Sequence, residues 1–440
     1  MSIDAPPQPA TAPLPPGPRL PAALQTVLFG NARHLLLPLL RRRYGDVFRL
    51  DLHPERQVVQ LADLDHVKQV LRGPAHVFHA GEGNVILEPL MGRHSVLLTD
   101  EDEHLRARKL LMPAFHGPAL RGYRDMITEL AEAEVAGWAP GAVFRSHERM
   151  QTLTLEIILR VVFGVAQGPR LDELRALLTR IVDIGILDLF GWHSPALQRV
   201  GPWRRYRRAL DRVDELLYAE IADRRAADDL HGRGDVLSRL LTVPPADDRL
   251  SDAELRDQLI TLLLAGHETT ATALAWSLHE LARDPARQRR AIEAADSGDE
   301  TYLEAVAKEA MRQHPVISEV ARRLTEDVEI GGYRIPAGYT VMPSITLVHG
   351  DARHHDHPDA FRPERFLDAG PASGTWFPFG GGVRRCLGAG FSLLEAVIVL
   401  RAVLGRFALE PDRARHERPR PRHITMVPGR GARIAVIPRR

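Results

Sequence analysis

The sequence predicts a single, mainly α-helical domain with a minor β portion. Three observations support this fold class. Apolar residues recur at helical spacing through most of the region between residues 64 and 283. Short alternating runs, which predict strands, are confined to residues 47–61 and 328–342. Neither an internal repeat nor a break in composition divides the chain, so we expect a proline-rich lead-in over residues 1–21 and one domain over residues 22–440.

The elements follow in order from local signals. Eight prolines within the first 21 residues predict an extended, polyproline-like segment without a core of its own. Two alternating runs, 47–52 and 57–61, predict a small hairpin, and the Gly331–Gly332 turn predicts a second one between 328–330 and 333–335, followed by a strand at 340–342. Helical spacing predicts helices at 24–44, 64–71, 101–114, 120–138, 148–163, 171–183, 203–227, 251–283, 302–314 and 391–407.

Composition excludes several classes of protein. Lysine and arginine number 58 against 57 acidic residues, a net charge of +1, which argues against a dedicated nucleic-acid binder. The single cysteine, Cys386, excludes an internal disulfide, a zinc ribbon and a cysteine-ligated iron–sulfur cluster. The first ten residues lack signal-peptide features, and the apolar run 35–40 is far too short to span a bilayer. The sequence therefore predicts a soluble, cytoplasmic protein with no membrane span.

A glycine-rich loop surrounds the cysteine. Residues Phe379 to Gly388 read FGGGVRRCLG and lead directly into an apolar helix. A phosphate loop is excluded because Val383 and the two following arginines stand where Lys-Ser/Thr is required. A thiolate that binds a metal would be stabilised by the free N–H groups at the helix start, and Arg384 could pair with a ligand carboxylate. A catalytic nucleophile and a buried structural cysteine remain alternatives, although a structural cysteine leaves the arginine and the glycines unexplained.

The longest predicted helix contains unfavourable residues at its centre. Ser251 and Glu254 form a capping-box start, and Asp284-Pro285 marks the end. The centre, residues 264–270, reads LAGHETT. A glycine inside a helix costs about 1 kcal/mol relative to alanine, and an acid in an apolar run costs more unless it is paired. Function is the favoured explanation, and close packing of a Ser/Thr-lined helix against a neighbour is the alternative.

The glycine-rich loop resembles the haem-binding loop of the cytochrome P450 family, whose pattern is Phe-x-x-Gly-x-Arg/His-x-Cys-x-Gly. The resemblance implies the triangular, mainly helical fold of that family and haem b as cofactor. It implies that Cys386 is the axial ligand of the iron, that Phe379 packs near the sulfur and that Arg384 reaches a haem propionate. The fixed places are filled by Phe379, Gly382, Arg384, Cys386 and Gly388.

The central helix resembles the family's Ala-Gly-x-Asp/Glu-Thr segment. The resemblance implies that Ala265 and Gly266 leave space above the haem for oxygen and substrate. Glu268 and Thr269 match the acid–alcohol pair, in which the threonine holds a water and the acid helps to bring in protons. We interpret His267, at the variable place, as structural.

Other motifs of the family follow in the expected order. Glu309 and Arg312 match its Glu-x-x-Arg motif, and with Arg365 they are expected to form a buried ionic triad with a structural role. The remaining predicted propionate contacts are His104 and Arg108, four residues apart on one helix, and Arg322, which fits the pattern better than Arg323.

The resemblance implies a monooxygenase that inserts one oxygen atom from O2 into an apolar organic substrate, such as a fatty acid, terpenoid, steroid or polyketide. Electrons from a nicotinamide would arrive through a separate ferredoxin and its reductase, which would dock near Arg106, Lys109 and Arg385 on a monomeric protein. A peroxygenase of the same fold and a non-catalytic haem carrier or gas sensor are the alternatives. The predicted substrate contacts are Ile86, Leu87, Leu264, Ala265 and Ile317, and the segments 75–98 and 181–200 are also expected to line the substrate pocket.

Overall fold

The computed structural model describes residues 13–53, 56–164, 168–181, 199, 201–243, 249–367, 370–422 and 424–439. Helices dominate these residues, which confirms the predicted fold class. The α-helices are α1 (Ala22–Tyr44), α2 (Leu64–Arg72), α3 (Ala80–Gly83), α4 (Glu88–Met91), α5 (Glu101–Leu111), α6 (Pro118–Ala136), α7 (Ser146–Phe163), α8 (Pro169–Ile181), α9 (Gly201–Arg225), α10 (Val236–Leu241), α11 (Asp252–Arg283), α12 (Pro285–Ser297), α13 (Glu300–Gln313), α14 (Ile345–His349) and α15 (Ala389–Arg406). Short 3-10 helices cover Val85–Leu87, Met112–Phe115, Leu230–Gly232, Pro363–Phe366 and Gly382–Arg384.

The strands in the described residues form one larger sheet and three small ones. The strands are β1 (Val47–Leu52), β2 (Arg56–Leu61), β3 (Phe78–His79), β4 (Val143–Arg145), β5 (Arg322–Leu324), β6 (Val328–Ile330), β7 (Tyr333–Ile335), β8 (Thr340–Pro343), β9 (Phe407–Pro411), β10 (Pro419–Arg422), β11 (Thr425–Pro428) and β12 (Arg433–Pro438). The larger sheet has the order β1-β2-β8-β5-β3, in which β2 and β8 run parallel and the other pairs antiparallel. The small sheets have the orders β4-β12-β9, β10-β11 and β6-β7.

The described end of the proline-rich lead-in lies against β1. Pro15 is buried, and the Arg49 N–H donates to the Pro16 carbonyl at 2.7 Å. Gln25 of α1 donates its amide to the Leu20 carbonyl at 2.7 Å. These hydrogen bonds to α1 and β1 hold residues 13–20 against the domain.

The sequence analysis did not predict α12, which begins at Pro285, where the sequence indicated only the end of α11. Asp284 stops α11 and also caps α12, since its carboxylate accepts the Arg287 N–H at 3.0 Å. Pro285 occupies the first turn of α12, where its missing N–H has no cost. An Asp-Pro pair can therefore end one helix and start the next.

The core is built around α11, the longest helix. It packs against α7 on one side and against α13 and α15 on others. From Leu255 to Ala282 its residues are buried, with interruptions only at Ala265, Gly266 and Thr269. The Thr270 hydroxyl donates to the Ser392 hydroxyl at 3.2 Å, so the centre of α11 lies against the start of α15, close to Cys386 in the chain.

Candidate active site

The centre of α11 opens onto a space inside the protein. Ala265 is exposed and Thr269 is half-buried, although the helix on either side of them is buried. This accessible face in the middle of a buried helix borders a space that no side chain of the described residues fills. The Thr269 hydroxyl donates to the Ala265 carbonyl at 2.8 Å, which leaves its oxygen lone pairs available to a further donor.

Gly266 has a second reason to be glycine. A Cβ at this position would lie 2.9 Å from both Cγ1 and Cδ1 of Ile158 on α7. The expectation that Gly266 serves to leave space for a ligand is therefore incomplete, because its missing side chain also allows α11 and α7 to pack closely. Close packing against a neighbouring helix, the alternative given in the sequence analysis, therefore applies at Gly266.

Cys386 has solvent-accessible surface although protein atoms surround it closely. Its residue surface is accessible, yet burial raises the pKa of its thiol, while a hydrogen bond from the Gly388 N–H and the charges of Arg108 and Arg385 act in the opposite direction. These observations together place the sulfur at the edge of an interior space. The Cys386 N–H donates to the Phe379 carbonyl at 2.9 Å and closes the loop around the sulfur.

The loop needs glycine at position 382. Gly382 has a φ of 63°, and a Cβ there would lie 2.0 Å from the Leu71 carbonyl oxygen. No other residue fits such a close approach of two backbones. Gly382 thus fixes the loop against the end of α2.

The four predicted propionate contacts lie together. Burial, with the positive charges of Arg384, Arg108 and Arg322, lowers the pKa of His104 to about 4. Burial and the nearby Arg384 lower the pKa of Arg322 to about 10. Arg322 is buried whereas Arg323 is half-buried, so the structure places Arg322 in this cluster, as the sequence pattern indicates.

Asp100 is a member of the cluster that the sequence analysis missed. Its carboxylate contacts the Arg384 guanidinium and accepts the N–H groups of Ala80, Gly81 and Glu82 at 2.8, 2.9 and 3.0 Å. Arg384 also donates to the Val96 carbonyl at 3.2 Å. Asp100 immediately precedes α5, so the sequence offers it only as a helix cap, and its contacts with α3 and Arg384 depend on the tertiary fold.

The chain is similar to known proteins in both sequence and fold. The family model described as cytochrome P450 matches residues 13–432. Similar curated proteins include the putative cytochrome P450 135A1 of Mycobacterium tuberculosis, 50% identical over 98% of this chain and 96% of that protein, and the putative cytochrome P450 135B1 of Mycobacterium bovis, 45% identical over 96% and 91%.

The chain belongs to the cytochrome P450 family. Solved structures show the same fold: retinoic acid-bound cyanobacterial CYP120A1 has a TM-score of 0.87 at 23% identity, covering 98% of this chain and 100% of that one. The haem domain of cytochrome P450DA has a TM-score of 0.83 at 26% identity, covering 98% and 99%. Membership makes the protein a haem-dependent monooxygenase that uses O2, an organic substrate and redox partners. No helix in the described part of this P450 is both long and apolar enough to cross a membrane.

The residues of this P450 fit a haem group. The donor set offers one thiol at the edge of the interior space and a cluster in which three arginines face one carboxylate, Asp100. Within the described ranges, the His104 ring and the Arg108 guanidinium make no side-chain hydrogen bond. Such a cluster, with excess positive charge and unused donors, suits a ligand that carries carboxylates.

Glu268 and Thr269 are adjacent but have different surroundings. Glu268 is buried and its carboxylate contacts the Gln151 amide, and Arg422 of β10 donates to it at 3.3 Å. His147 Nε2 lies 3.8 Å from the same carboxylate and 3.0 Å from the Thr272 hydroxyl. Burial and the charge of Arg422 lower the pKa of His147 to about 3, so this ring is neutral at pH 7.

His267 is held within the helix. It is buried, and its Nδ1 lies 2.7 Å from the Leu263 carbonyl one turn earlier. The Thr154 hydroxyl of α7 donates to the His267 carbonyl at 2.9 Å. These contacts give the residue a structural role in joining α7 and α11.

Glu309, Arg312 and Arg365 meet in the protein interior. Arg312 donates to the Glu309 carboxylate at 2.7 and 2.9 Å, and Arg365 donates to it at 3.0 Å. The side chain of Glu309 is fully buried and those of the two arginines nearly so. Arg312 also donates to the His349 and Pro358 carbonyls at 3.0 and 2.8 Å, which connects α13 to the segment after α14.

We expect Glu309→Ala to yield little folded holoprotein. Removing the carboxylate leaves two buried guanidinium groups without their shared partner, at a cost of about 3–5 kcal/mol. The measurement is the yield and the haem content of purified protein. A matched control is Glu148→Ala, which removes an acid from the exposed Arg145–Glu148 pair at the same i, i+3 spacing. Equal yield and haem content in the two variants would contradict a structural role for the triad.

The predicted substrate contacts differ in exposure. Ala265 and Ile86 have exposed surfaces, Ile317 is half-buried, and Leu87 and Leu264 are buried within the main core. Ile317 forms a backbone bridge with Thr425 and packs against the core of the larger sheet. The expected segment 75–98 folds into β3, α3, a 3-10 turn and α4, whereas the segment 181–200 lies outside the described residues except for 181 and 199.

Proposed function

We propose that this P450 hydroxylates or epoxidises an apolar organic molecule of the fatty acid, terpenoid, steroid or polyketide type, and that the Cys386 thiolate would hold the iron of haem b. The observation that carries the proposal is the position of the Cys386 sulfur, which reaches an interior space beside the arginine cluster. The contact between Thr270 and Ser392 brings the opening in α11 to the same part of the domain.

The protein supplies the thiolate and the binding contacts of the site. When bound, haem supplies the iron chemistry that activates dioxygen, and a thiolate ligand donates electron density that favours O–O cleavage. The Gly388 N–H and the charges of Arg108 and Arg385 stabilise the thiolate form of Cys386. Arg108, Arg322, Arg384 and His104 would hold the propionates, and Phe379, Gly382 and Gly388 shape the loop around the sulfur.

Thr269 and Glu268 would divide the handling of protons. Thr269 donates its hydroxyl proton to the Ala265 carbonyl, so its oxygen can accept a hydrogen bond from a water in the interior space. Glu268 would pass protons towards that water from solvent near β10, where the Arg422 side chain is 15% exposed. Gln151 and Arg422 hold the carboxylate in position between these two sides.

The surface beside the Cys386 loop supports docking of a separate electron donor. We propose that this donor is a ferredoxin reduced by its own reductase, and that the P450 acts as a monomer. A concavity of about 430 Å³ lies here, lined by Leu105, Arg108, Lys109, Met112, Pro113 and Val383. Lys109, in this lining, and the nearby Arg385 are both exposed and could contact an acidic partner. Arg106, which the sequence analysis placed with them, instead pairs with Glu254 at 2.6 Å and so contributes to the fold at the start of α11.

The proposal is tested by titrating the ferric protein with a library of apolar compounds. We expect some members to shift the Soret band from low spin to high spin, because a bound apolar molecule displaces water from the interior space. These members should then be oxidised when a ferredoxin, its reductase and a nicotinamide are supplied. Binding without oxidation by any donor system would favour a haem carrier, and oxidation with peroxide alone would favour a peroxygenase.

A further inference from the structure

A second group of potential ligands lies at the far end of α11. His279 and Glu280 are buried there, and His416 is exposed in the segment between β9 and β10. One ligand atom from each of the three residues lies within 4.8 Å of the others. The rings of His279 and His416 meet edge to face, with centroids 6.4 Å apart.

The hydrogen bonding of these groups is incomplete. His279 is 3% exposed and its Nδ1 atom is buried without a partner among the described residues, while its Nε2 accepts the Glu417 N–H at a long 3.4 Å. Glu280 Oε1 is 2.8 Å from His314 Nε2, and its other oxygen accepts no hydrogen bond within the described ranges. His416 likewise makes no side-chain hydrogen bond there.

We propose that His279, Glu280 and His416 bind a divalent transition metal ion, for which Zn²⁺ is the best match. Two imidazoles and a carboxylate form a donor set that zinc uses in proteins, with water in the fourth position, whereas Mg²⁺ and Ca²⁺ prefer oxygen ligands alone. Ligand atoms about 2.0–2.1 Å from a tetrahedral ion are roughly 3.4 Å apart. The groups must therefore approach by about 1.4 Å at most, which rotation of the exposed His416 ring can provide.

The surrounding contacts hold the ligands in place. His279 and Glu280 are consecutive on α11, so their side chains leave the helix about 100° apart, and the third ligand, His416, comes from a separate segment of the chain. Arg283 fixes the segment that carries His416 by donating to the Arg413 and Ala414 carbonyls at 3.1 and 2.5 Å. The His314 ring, which bonds Glu280, is itself stacked on Trp276 at 3.9 Å. Such outer contacts orient metal ligands.

The experiment measures zinc bound to the untagged holoenzyme. The protein is treated with a chelator, dialysed against micromolar Zn²⁺ and analysed for zinc and iron by mass spectrometry. We expect one zinc per haem iron in the wild type and at least tenfold weaker binding in His416→Ala. His231→Ala, which removes an exposed histidine elsewhere, is the matched control and should bind zinc like the wild type.

A second measurement, the melting temperature, distinguishes zinc bound at this site from zinc bound elsewhere on the protein. Saturating Zn²⁺ should raise the melting temperature of the wild type and of His231→Ala but not of His416→Ala. Glu280→Gln provides a second ligand variant with nearly unchanged shape, and it should also lose tight binding. Zinc bound equally by the wild type and both ligand variants, or bound by none of them, would overturn the proposal and leave these residues as a polar cluster of the fold.

Discussion

Cys386→Ser is expected to lose the red-shifted carbon monoxide difference spectrum that is characteristic of a thiolate ligand. A serine hydroxyl does not donate to iron as a soft sulfur does. The chain contains no other cysteine that could replace it. The loop itself should persist, because the backbone bond from Cys386 to Phe379 and the close approach at Gly382 do not involve the sulfur.

Cys386→His distinguishes loss of the thiolate from loss of the fold. This variant keeps a metal ligand at the same position, so it should retain haem while showing a different carbon monoxide spectrum. The measurement is the reduced, carbon monoxide-bound spectrum of wild type and variants at equal haem content. A thiolate-type spectrum in Cys386→Ser would show that the ligand assignment is wrong.

Thr269→Ala is expected to separate consumption of electrons from formation of product. Haem and substrate binding should remain, since neither requires the hydroxyl, and the absorbance shift with substrate should be unchanged. Without a water bound to the Thr269 hydroxyl, the electrons should reduce dioxygen to hydrogen peroxide instead of supporting product formation. General acid–base groups contribute about 10²–10⁴-fold, so the loss of product per nicotinamide should be large.

The measurement is peroxide and product formed per nicotinamide oxidised, with a productive substrate and a competent donor pair. Thr269→Ser is the matched control, because it keeps a hydroxyl that can donate to the Ala265 carbonyl and accept from water. Coupling should therefore recover in this variant. Wild-type coupling in Thr269→Ala would make the threonine an ordinary part of the helix and require another path for protons.

Local signals in the sequence predicted most of the helices, both hairpins and the strand that follows the second hairpin. The capping box at Ser251 and Glu254 is present in the structure, and α11 begins where these residues indicate. The strand β10 was missed because its sequence, PRPR, contains two prolines, which are unfavourable in sheets and are accommodated here in a sheet of only two strands. The order of the five-stranded sheet also depends on tertiary contacts that no local pattern contains.

In the candidate site too, contacts within one local motif could be predicted and contacts between distant segments could not. Residues within one motif, such as Glu309 and Arg312, could be placed together from spacing alone, and the structure brings Arg365 to them. The partners of Glu268 could not be predicted, because Gln151 lies 117 residues and Arg422 lies 154 residues away in the chain. Gln151 and Arg422 carry no motif of their own, and only the packing of α7 and β10 against α11 brings them to the acid.

The central claim is that this P450 inserts an oxygen atom from O2 into an apolar substrate with electrons from a nicotinamide. It is tested most directly by turnover under isotopically labelled dioxygen, using a compound that produces the spin-state shift. We expect product that carries one labelled oxygen atom and forms only when the nicotinamide and the donor proteins are present. Product whose oxygen comes from added peroxide, with none formed from dioxygen and the donors, would contradict it.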